Sequence, residues 1–481
     1  MNKAVKGVFW SGIERFSTQI VQFIISVILA RLLLPADFGI VAITLIIMNV
    51  LQVINETGFG AALMQKLDRD ELDFSTVFVF NIFLSLVLYG LLYLSAPFIA
   101  AFFEQPILTD LTRILGLNLI ISSFIVVQRA RLFIKVDFKT QAKAAFIAIV
   151  ISGGVGIYCA YVGMGVMALI IQSLLNNGIN TLLLWIFVKW QPKLQFSYSR
   201  FTGLFKYAYK LVLAQLINRV FQEMYSLVIG KVYSPAQLGY FNRAKSFEQL
   251  SANNIYTIVG RVSTPLLCEV QKDNDKMGQV LLKFIQNTAF IVYPLLFGMF
   301  VLAEPLIRVL LTDKWLPAVW ILKVLCPIGL FYVISTFNRN VFNATGRTDW
   351  ALESEIIKKC IFVAILAIAI YFGFKALVYS QILIAIIEFF IDTFYTKKQI
   401  GLTLLKQIKS VVAIFLAALS MAFFVWFVTL FLVNDIYKLI IGSIIGIFVY
   451  SIVCYMCNVS SFREKFQLII AKINHGKKNN Y

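Results

Sequence analysis

Long apolar runs separated by short polar links dominate the chain. About 20 consecutive apolar residues are enough to cross the hydrocarbon core as a helix, and backbone polar groups in lipid must be paired within their own segment. The pattern therefore predicts an all-α polytopic membrane protein with about fourteen transmembrane helices. The predicted segments are 9–33, 38–63, 76–103, 108–127, 143–163, 165–188, 207–230, 238–263, 284–303, 319–337, 356–373, 376–395, 409–433 and 437–457.

Composition agrees with this fold class and narrows the function. Of the 481 residues, 60% are hydrophobic and 14% are charged, whereas soluble domains have roughly 45–50% apolar and about 25% charged residues. The single histidine argues against a multi-histidine metal centre or a Ser/His hydrolase. The six cysteines lie mostly in or beside apolar runs, which favours buried thiols over disulfides. Without a P-loop, a GxSxG motif or a long external loop, we expect no enzyme activity, metal or cofactor.

The charge distribution predicts how the chain is oriented. Lysine and arginine total 43 against 24 acidic residues, which gives a net charge of +19. With the N-terminus in the cytoplasm, 30 of the basic residues fall on the cytoplasmic side, eight on the other side and five at membrane depth. Basic loops are held in the cytoplasm, so both termini are expected there. The basic tail 463–481, which includes His475, is expected to rest on anionic lipid headgroups rather than to catalyse. No nucleic-acid partner is expected.

The chain also repeats itself. RLLLPADFG at 31–39 and KVYSPAQLG at 231–239 align at a shift of 200 residues. Six predicted spans separate the two copies, so the halves have the same orientation and should be related by an axis along the membrane normal. This predicts an N-terminal six-helix bundle (1–200), a second six-helix bundle (201–400), and two extra helices with a basic tail (401–481).

Ionisable side chains at membrane depth raise the free energy of the protein unless they are paired or hydrated, so each is a candidate site residue. Arg219 and Glu223 are one helical turn apart and can partly neutralise one another. They belong to a polar stripe on the seventh span that cannot face lipid. The stripe indicates either a hydrated cationic cavity between the bundles or ion pairs that hold helices together. The other candidates are Glu14 and Arg15 in the first span, Glu56 in the second, and Arg243, Lys245 and Glu248 in the eighth.

Two further carboxylates lie one turn apart in the twelfth span, Glu388 and Asp392. They could bind a cation or share a proton, because like charges at this spacing raise one pKa. They could equally neutralise a cation on the eleventh span, such as Lys358 or Lys359, and we favour this structural pairing.

Several segments resemble a known family. LARLLLPADFGIVA, NETGFGAALMQK, RARLFIKVDFKTQA, GKVYSPAQLGYFNRA and LTDKWLPAVWILKVLCPIGL, in this order, are similar to polysaccharide flippases of the Wzx type. These belong to the multidrug/oligosaccharidyl-lipid/polysaccharide exporter superfamily. The resemblance covers nearly the whole chain, including the arrangement of six, six and two spans. The first span lacks the aspartate usual in the multidrug antiporters of that superfamily, which counts against cation-coupled drug export.

The resemblance implies transport of an undecaprenyl-diphosphate-linked oligosaccharide across a bacterial inner membrane. Fixed cations suit its diphosphate, and arginine offers the better fork for phosphate oxygens. From depth and spacing we expect Arg15, Arg219, Arg243 and Lys245 to contact the headgroup, with Glu14, Glu56, Glu223 and Glu248 balancing their charge. Membrane lipids, and the polymerase or glycosyltransferases of the same pathway, are the expected partners. A small-molecule antiporter, a membrane enzyme and a scaffold for synthesis enzymes are the competing interpretations.

Overall fold

The computed structural model describes residues 3–457 and 459, without the side chains of 3–16, 57, 251–254, 257, 258, 261, 262, 343 and 348. Within these residues the fold is helical and no strand is present. The basic tail 463–481 and His475 lie outside the described residues. The helices are α1 (Lys3–Leu32), α2 (Pro35–Gln65), α3 (Glu71–Phe103), α4 (Leu108–Ser123), α5 (Val126–Lys135), α6 (Phe138–Tyr161), α7 (Val166–Val188), α8 (Tyr198–Val232), α9 (Pro235–Glu269), α10 (Asn274–Val301), α11 (Ala303–Leu311), α12 (Ala318–Thr345), α13 (Thr348–Tyr371), α14 (Phe374–Ile400), α15 (Leu404–Leu430) and α16 (Asp435–Met456).

Each of the fourteen predicted segments overlaps one of these helices, and the all-α polytopic fold class is confirmed. By length and composition, nine of the described helices could cross a membrane, and α4 with α5, bent by 42°, would form a tenth if the pair is one span. Helices α8 and α9 are not among the nine because they carry the charged and polar residues singled out above. The count of fourteen spans stays a prediction. The short helices α5 and α11 were not predicted.

The chain divides into two compact units, one ending at Gly239 and one starting at Tyr240. In the first unit α2 packs against α8, α1 against α6, and α3 against α4. In the second unit α10 packs against α12 and α15, and α14 packs against α12 and α13. The compact units and the sequence repeat therefore do not share a boundary, since α8 begins the second copy of the sequence but packs within the first unit. The three-part domain division stays a prediction.

Helix α8 is anchored to the first unit at both ends. At its start Arg200 Nη2 donates to Asp70 Oδ2 at 2.9 Å, and at its end Lys231 Nζ donates to Glu104 Oε1 at 2.8 Å. The backbone N–H of Asp73, followed by the charge of Arg200, holds the pKa of Asp70 below its usual range. The hydrogen bond and the charge of Lys231 lower the pKa of Glu104 in the same way. These contacts fix the position of the polar stripe relative to the neighbouring helices.

All six cysteines lie among the described residues and are free thiols. Cys159, Cys326 and Cys454 are buried, whereas the other three are exposed. The sequence analysis favoured buried thiols, and three of the six are buried here.

Candidate functional site

The polar stripe of α8 is at least partly exposed along one side of the helix. Gln215, Asn218 and Gln222 are exposed, and Arg219 and Glu223 are half-buried. The stripe lies beside the face of α8 that packs on α2. Exposed apolar residues, including Leu213 and Ile217, cover another flank of α8. The helix therefore separates a polar surface from an apolar one, as expected of a helix with water on one side and lipid on the other.

Arg219 and Glu223 form the ion pair that their spacing predicts, with Arg219 Nε 3.3 Å from Glu223 Oε1. Asn49 of α2 donates from Nδ2 to the same Glu223 oxygen at 2.9 Å. Arg219 Nη1 donates to Gln222 Oε1 at 3.4 Å, a long hydrogen bond. No described residue forms a hydrogen bond with Arg219 Nη2, and the side chain is 34% exposed. The ion pair therefore positions the guanidinium, while its Nη2 donors remain available for a hydrogen bond to a ligand.

Asn49 is a site residue that the sequence analysis missed. It interrupts an apolar stretch of α2 in the way that Asn55 does, and this interruption was the only local signal. Its partner Glu223 lies 174 residues away in the sequence, so the contact depends on the packing of α2 against α8. By holding the carboxylate, Asn49 orients the acid that in turn orients Arg219.

Glu56 was predicted to balance cavity charge, and the structure places it in a pair with Arg129 of α5. Arg129 Nη1 lies 3.2 Å from Glu56 Oε2, and each side chain is 33% exposed. The bend between α4 and α5 brings α5 against α2, which explains the contact. Glu14 and Arg15 belong to α1, but their side chains lie outside the described residues.

The candidates of α9 lie in the second unit. Arg243 is only 8% exposed, and its guanidinium carbon lies 5.4 Å from the ring centre of the fully buried Trp315. Lys245 is half-buried, with Nζ 5.9 Å from the ring of Phe241. Glu248 points towards α12, where its Oε1 lies 3.6 Å from the position that a Cβ on Gly329 would occupy. In this conformation Arg243 is thus closed off by protein.

Asp392 forms the pairing that the sequence analysis favoured. Lys358 Nζ donates to Asp392 Oδ1 at 2.9 Å, with 1% and 0% of the two side chains exposed. Lys358 also contacts Glu355, one turn earlier on α13. Asp392 Oδ2 is buried without a hydrogen bond in the described residues. Glu388 is half-buried, and no described ion pair includes it. Glu355 was not predicted as a member of this cluster.

Comparisons with known proteins place the chain in a family. A family model described as "Polysaccharide biosynthesis protein" matches residues 28–320. The chain belongs to this family. The resemblance noted from the sequence segments is therefore confirmed. The chain is also similar to the teichuronic acid biosynthesis protein TuaB of Bacillus subtilis (strain 168), with 26% identity over 89% of each chain. The lipopolysaccharide biosynthesis protein WzxC of Escherichia coli (strain K12) is 21% identical over 76% of this chain and 75% of its own.

Solved structures show the same fold. The lipid II flippase MurJ in an inward closed conformation aligns with a TM-score of 0.74 at 20% identity, covering 93% of this chain and 98% of its own. An inward-facing multidrug resistance MATE transporter of the MOP superfamily aligns with a TM-score of 0.64 at 16% identity, covering 81% and 98%. This member of the polysaccharide biosynthesis family is therefore a multi-pass membrane protein with the fold of that superfamily.

Proposed function

We propose that the protein is a flippase that moves an undecaprenyl-diphosphate-linked oligosaccharide from the inner to the outer leaflet of a bacterial inner membrane. Its relatives are named for teichuronic acid, lipopolysaccharide and succinoglycan, the last as a transport protein. These names differ in the polymer, so a substrate class common to them would lie in the lipid-linked headgroup. The fold it shares with a lipid II flippase supports the same class of cargo.

Arg219 is the observation that carries the proposal. It lies thirteen residues before the end of α8, about 20 Å along the helix at ~1.5 Å per residue, and it is 34% exposed. A fixed arginine at this depth needs a compensating anion, which Glu223 supplies only in part. A diphosphate supplies oxygens that match the guanidinium fork. Asn49 and Glu223 hold the arginine in place so that it need not be ordered by the cargo.

The other proposed headgroup contacts are supported to different degrees by the structure. Arg243 and Lys245 stay proposed headgroup contacts, but Arg243 is closed off here, so its contact with cargo requires a conformation in which α9 has moved. Such a movement is what alternating access between two halves provides. Arg15 also stays a proposed headgroup contact, because the sequence places it at membrane depth in the first predicted span. Glu56 was expected to balance the charge of the headgroup contacts, but here it pairs with Arg129. We further propose that both termini are cytoplasmic, that no cofactor takes part and that the protein is not an enzyme.

The test compares two cations on the same helix. Arg219→Ala removes the proposed contact, whereas Lys210→Ala removes an exposed cation nine residues away, on the opposite side of α8 at 100° per residue. Binding of undecaprenyl diphosphate to the purified protein is measured by native mass spectrometry, with uncharged undecaprenol as competitor. A lost charge-assisted hydrogen bond costs about 1.5–3 kcal/mol, so Arg219→Ala should weaken binding roughly 10- to 100-fold. Lys210→Ala should stay within about twofold of the parent.

Surface polysaccharide in a strain that lacks the chromosomal copy gives the second measurement. Arg219→Ala should reduce it while protein level is unchanged, and Arg219→Lys should restore it only in part because lysine lacks the fork. Equal binding by parent and Arg219→Ala would remove the headgroup site from α8. Unchanged polysaccharide together with altered export of a cationic drug would favour the small-molecule antiporter instead.

A further inference from the structure

The two copies of the sequence repeat build the same turn. Pro35 and Pro235 are the first residues of α2 and α9, and a side chain two residues after each proline caps the turn. Asp37 Oδ2 accepts from the backbone N–H of Leu34 at 2.9 Å. In the second copy Gln237 Oε1 accepts from the backbone N–H of Ser234 at 3.1 Å. A shift of 200 residues therefore relates the two turns in structure as well as in sequence.

These two turns lie directly against one another within the first unit. A Cβ on Gly39 would lie 1.7 Å from the backbone oxygen of Pro235, and a Cβ on Gly239 would lie 2.0 Å from the backbone oxygen of Pro35. Contacts under 3.0 Å essentially never occur for a real Cβ. Both obstacles are backbone atoms, which cannot rotate aside. The contact is reciprocal, because each glycine meets the proline of the other turn.

Burial along the helices shows what this contact closes. Ile43, one turn after Gly39, is fully buried and lies against Gly230 of α8. On α8 itself Tyr225 and Ile229 are buried, whereas Gln215, Asn218 and Gln222 are exposed and Arg219 is half-buried. The polar surface that holds Arg219 is therefore closed towards the two turns and open away from them. In the orientation proposed above, the closed end faces the outside of the cell.

We propose that Gly39 and Gly239 are positioning residues that allow this end of the protein to close, and that any side chain at either position holds it open. An alanine at 39 would have to move away from Pro235 by about 1.3 Å to reach the shortest tolerated distance. Close-packed interiors do not absorb such a shift gradually, so the two turns separate. The inference deepens the proposed function by naming the contact that controls one side of alternating access.

Accessibility of a buried cysteine tests the closure without using any cargo. In a background with the six native cysteines replaced, Ile43→Cys places a thiol one turn below Gly39, where the side chain is 0% exposed. Labelling by a membrane-impermeant maleimide on spheroplasts should be slow in this parent. Gly39→Ala and Gly239→Ala should each raise the labelling rate at least tenfold. Gly154→Ala is the matched control, because a Cβ there meets nothing within 4 Å, and it should leave the rate unchanged.

The outcomes separate this inference from the proposed function. Faster labelling in both alanine variants supports the closure even if Arg219 proves irrelevant to the headgroup. Unchanged labelling in folded Gly39→Ala and Gly239→Ala, judged by size-exclusion profile, overturns it even if the protein is a flippase. Loss of folded protein in both variants also overturns it, because the glycines would then serve the fold rather than closure. A parent thiol that labels as fast as the variants would contradict a closed end.

Discussion

The buried ion pair between Lys358 and Asp392 offers a quantitative test of how charge is tolerated inside the second unit. The two side chains are 1% and 0% exposed and their atoms lie 2.9 Å apart. Lys358 has a second partner in Glu355, whereas Asp392 Oδ2 has no hydrogen bond in the described residues. Because the partners are unequal, removing one end of the pair should not cost the same as removing the other.

Lys358→Met leaves the Asp392 carboxylate buried without its cation. Removing one partner of a buried pair typically costs about 3–5 kcal/mol, because the remaining charge has lost its compensation. Asp392→Leu should cost less than Lys358→Met, since Lys358 still has Glu355. The double variant Lys358→Met, Asp392→Leu removes both charges, and such replacements are often neutral. We therefore expect strong non-additivity, with the double variant more stable than Lys358→Met alone.

The assay is denaturant unfolding of the purified protein in mixed micelles, followed by tryptophan fluorescence. Lys276→Met is the control, because its pair with Asp273 has side chains 70% and 42% exposed and should contribute only about 0–1 kcal/mol. Additive effects of the two single substitutions, or a loss under about 1 kcal/mol in Lys358→Met, would refute the reasoning.

Transport by the same double variant separates the two interpretations of the acidic pair on α14. If Asp392 only compensates Lys358, the folded double variant should retain export. If Glu388 and Asp392 instead bind a driving cation or share a proton, the double variant should fold and fail to export. A stable but inactive double variant would therefore favour the second interpretation.

Two other predictions rest on single contacts. Lys231 lowers the pKa of Glu104, so this pair stabilises the protein at pH values above the unfolded carboxyl pKa of about 4.3. The stabilisation is lost as pH falls through the lowered pKa. The difference in Tm between the parent and Glu104→Gln should therefore vanish in acid, and a difference that stays constant with pH would contradict this prediction. Asn55→Ala should lower the free energy of unfolding by about 1–3 kcal/mol, because buried Asn55 donates to the backbone oxygen of Leu119 at 2.9 Å. The control Gln215→Ala changes an exposed side chain and should alter stability little. Equal losses in the two variants, measured by denaturant unfolding, would contradict this prediction.

The helix positions could be predicted because most of the long helices contain a long local run of apolar residues. The amphipathic helices α5 and α11 have only 10 and 9 residues, so no such run marks them. The pair of Arg219 and Glu223 could likewise be predicted, since its members are neighbours on one helix. The contact of Glu56 could not, because Arg129 is 73 residues away and reaches it only through the bend after α4.

For Arg243, the sequence predicted its position along the helix but not its surroundings. Its depth could be read from the sequence, since it lies about 12 Å along α9 from Pro235 at ~1.5 Å per residue. Whether it was open or covered could not, because Trp315 comes from a 3₁₀ turn after α11. A cation in an apolar helix predicts a compensating group but does not say whether that group is an anion, water or an aromatic ring.

The duplication explains why the two copies are alike in one respect and different in another. Gly39 and Gly239 each face the backbone of the other copy, so neither position can gain a side chain unless the opposite turn moves. One turn further along each helix, Ile43 and Arg243 occupy equivalent positions but have unequal surroundings, since Arg243 lies over Trp315 in its own unit. A position without a reciprocal contact can differ between the copies. In the mechanism proposed above, closure thus uses a contact that the two copies share, whereas charge recognition uses positions at which they differ.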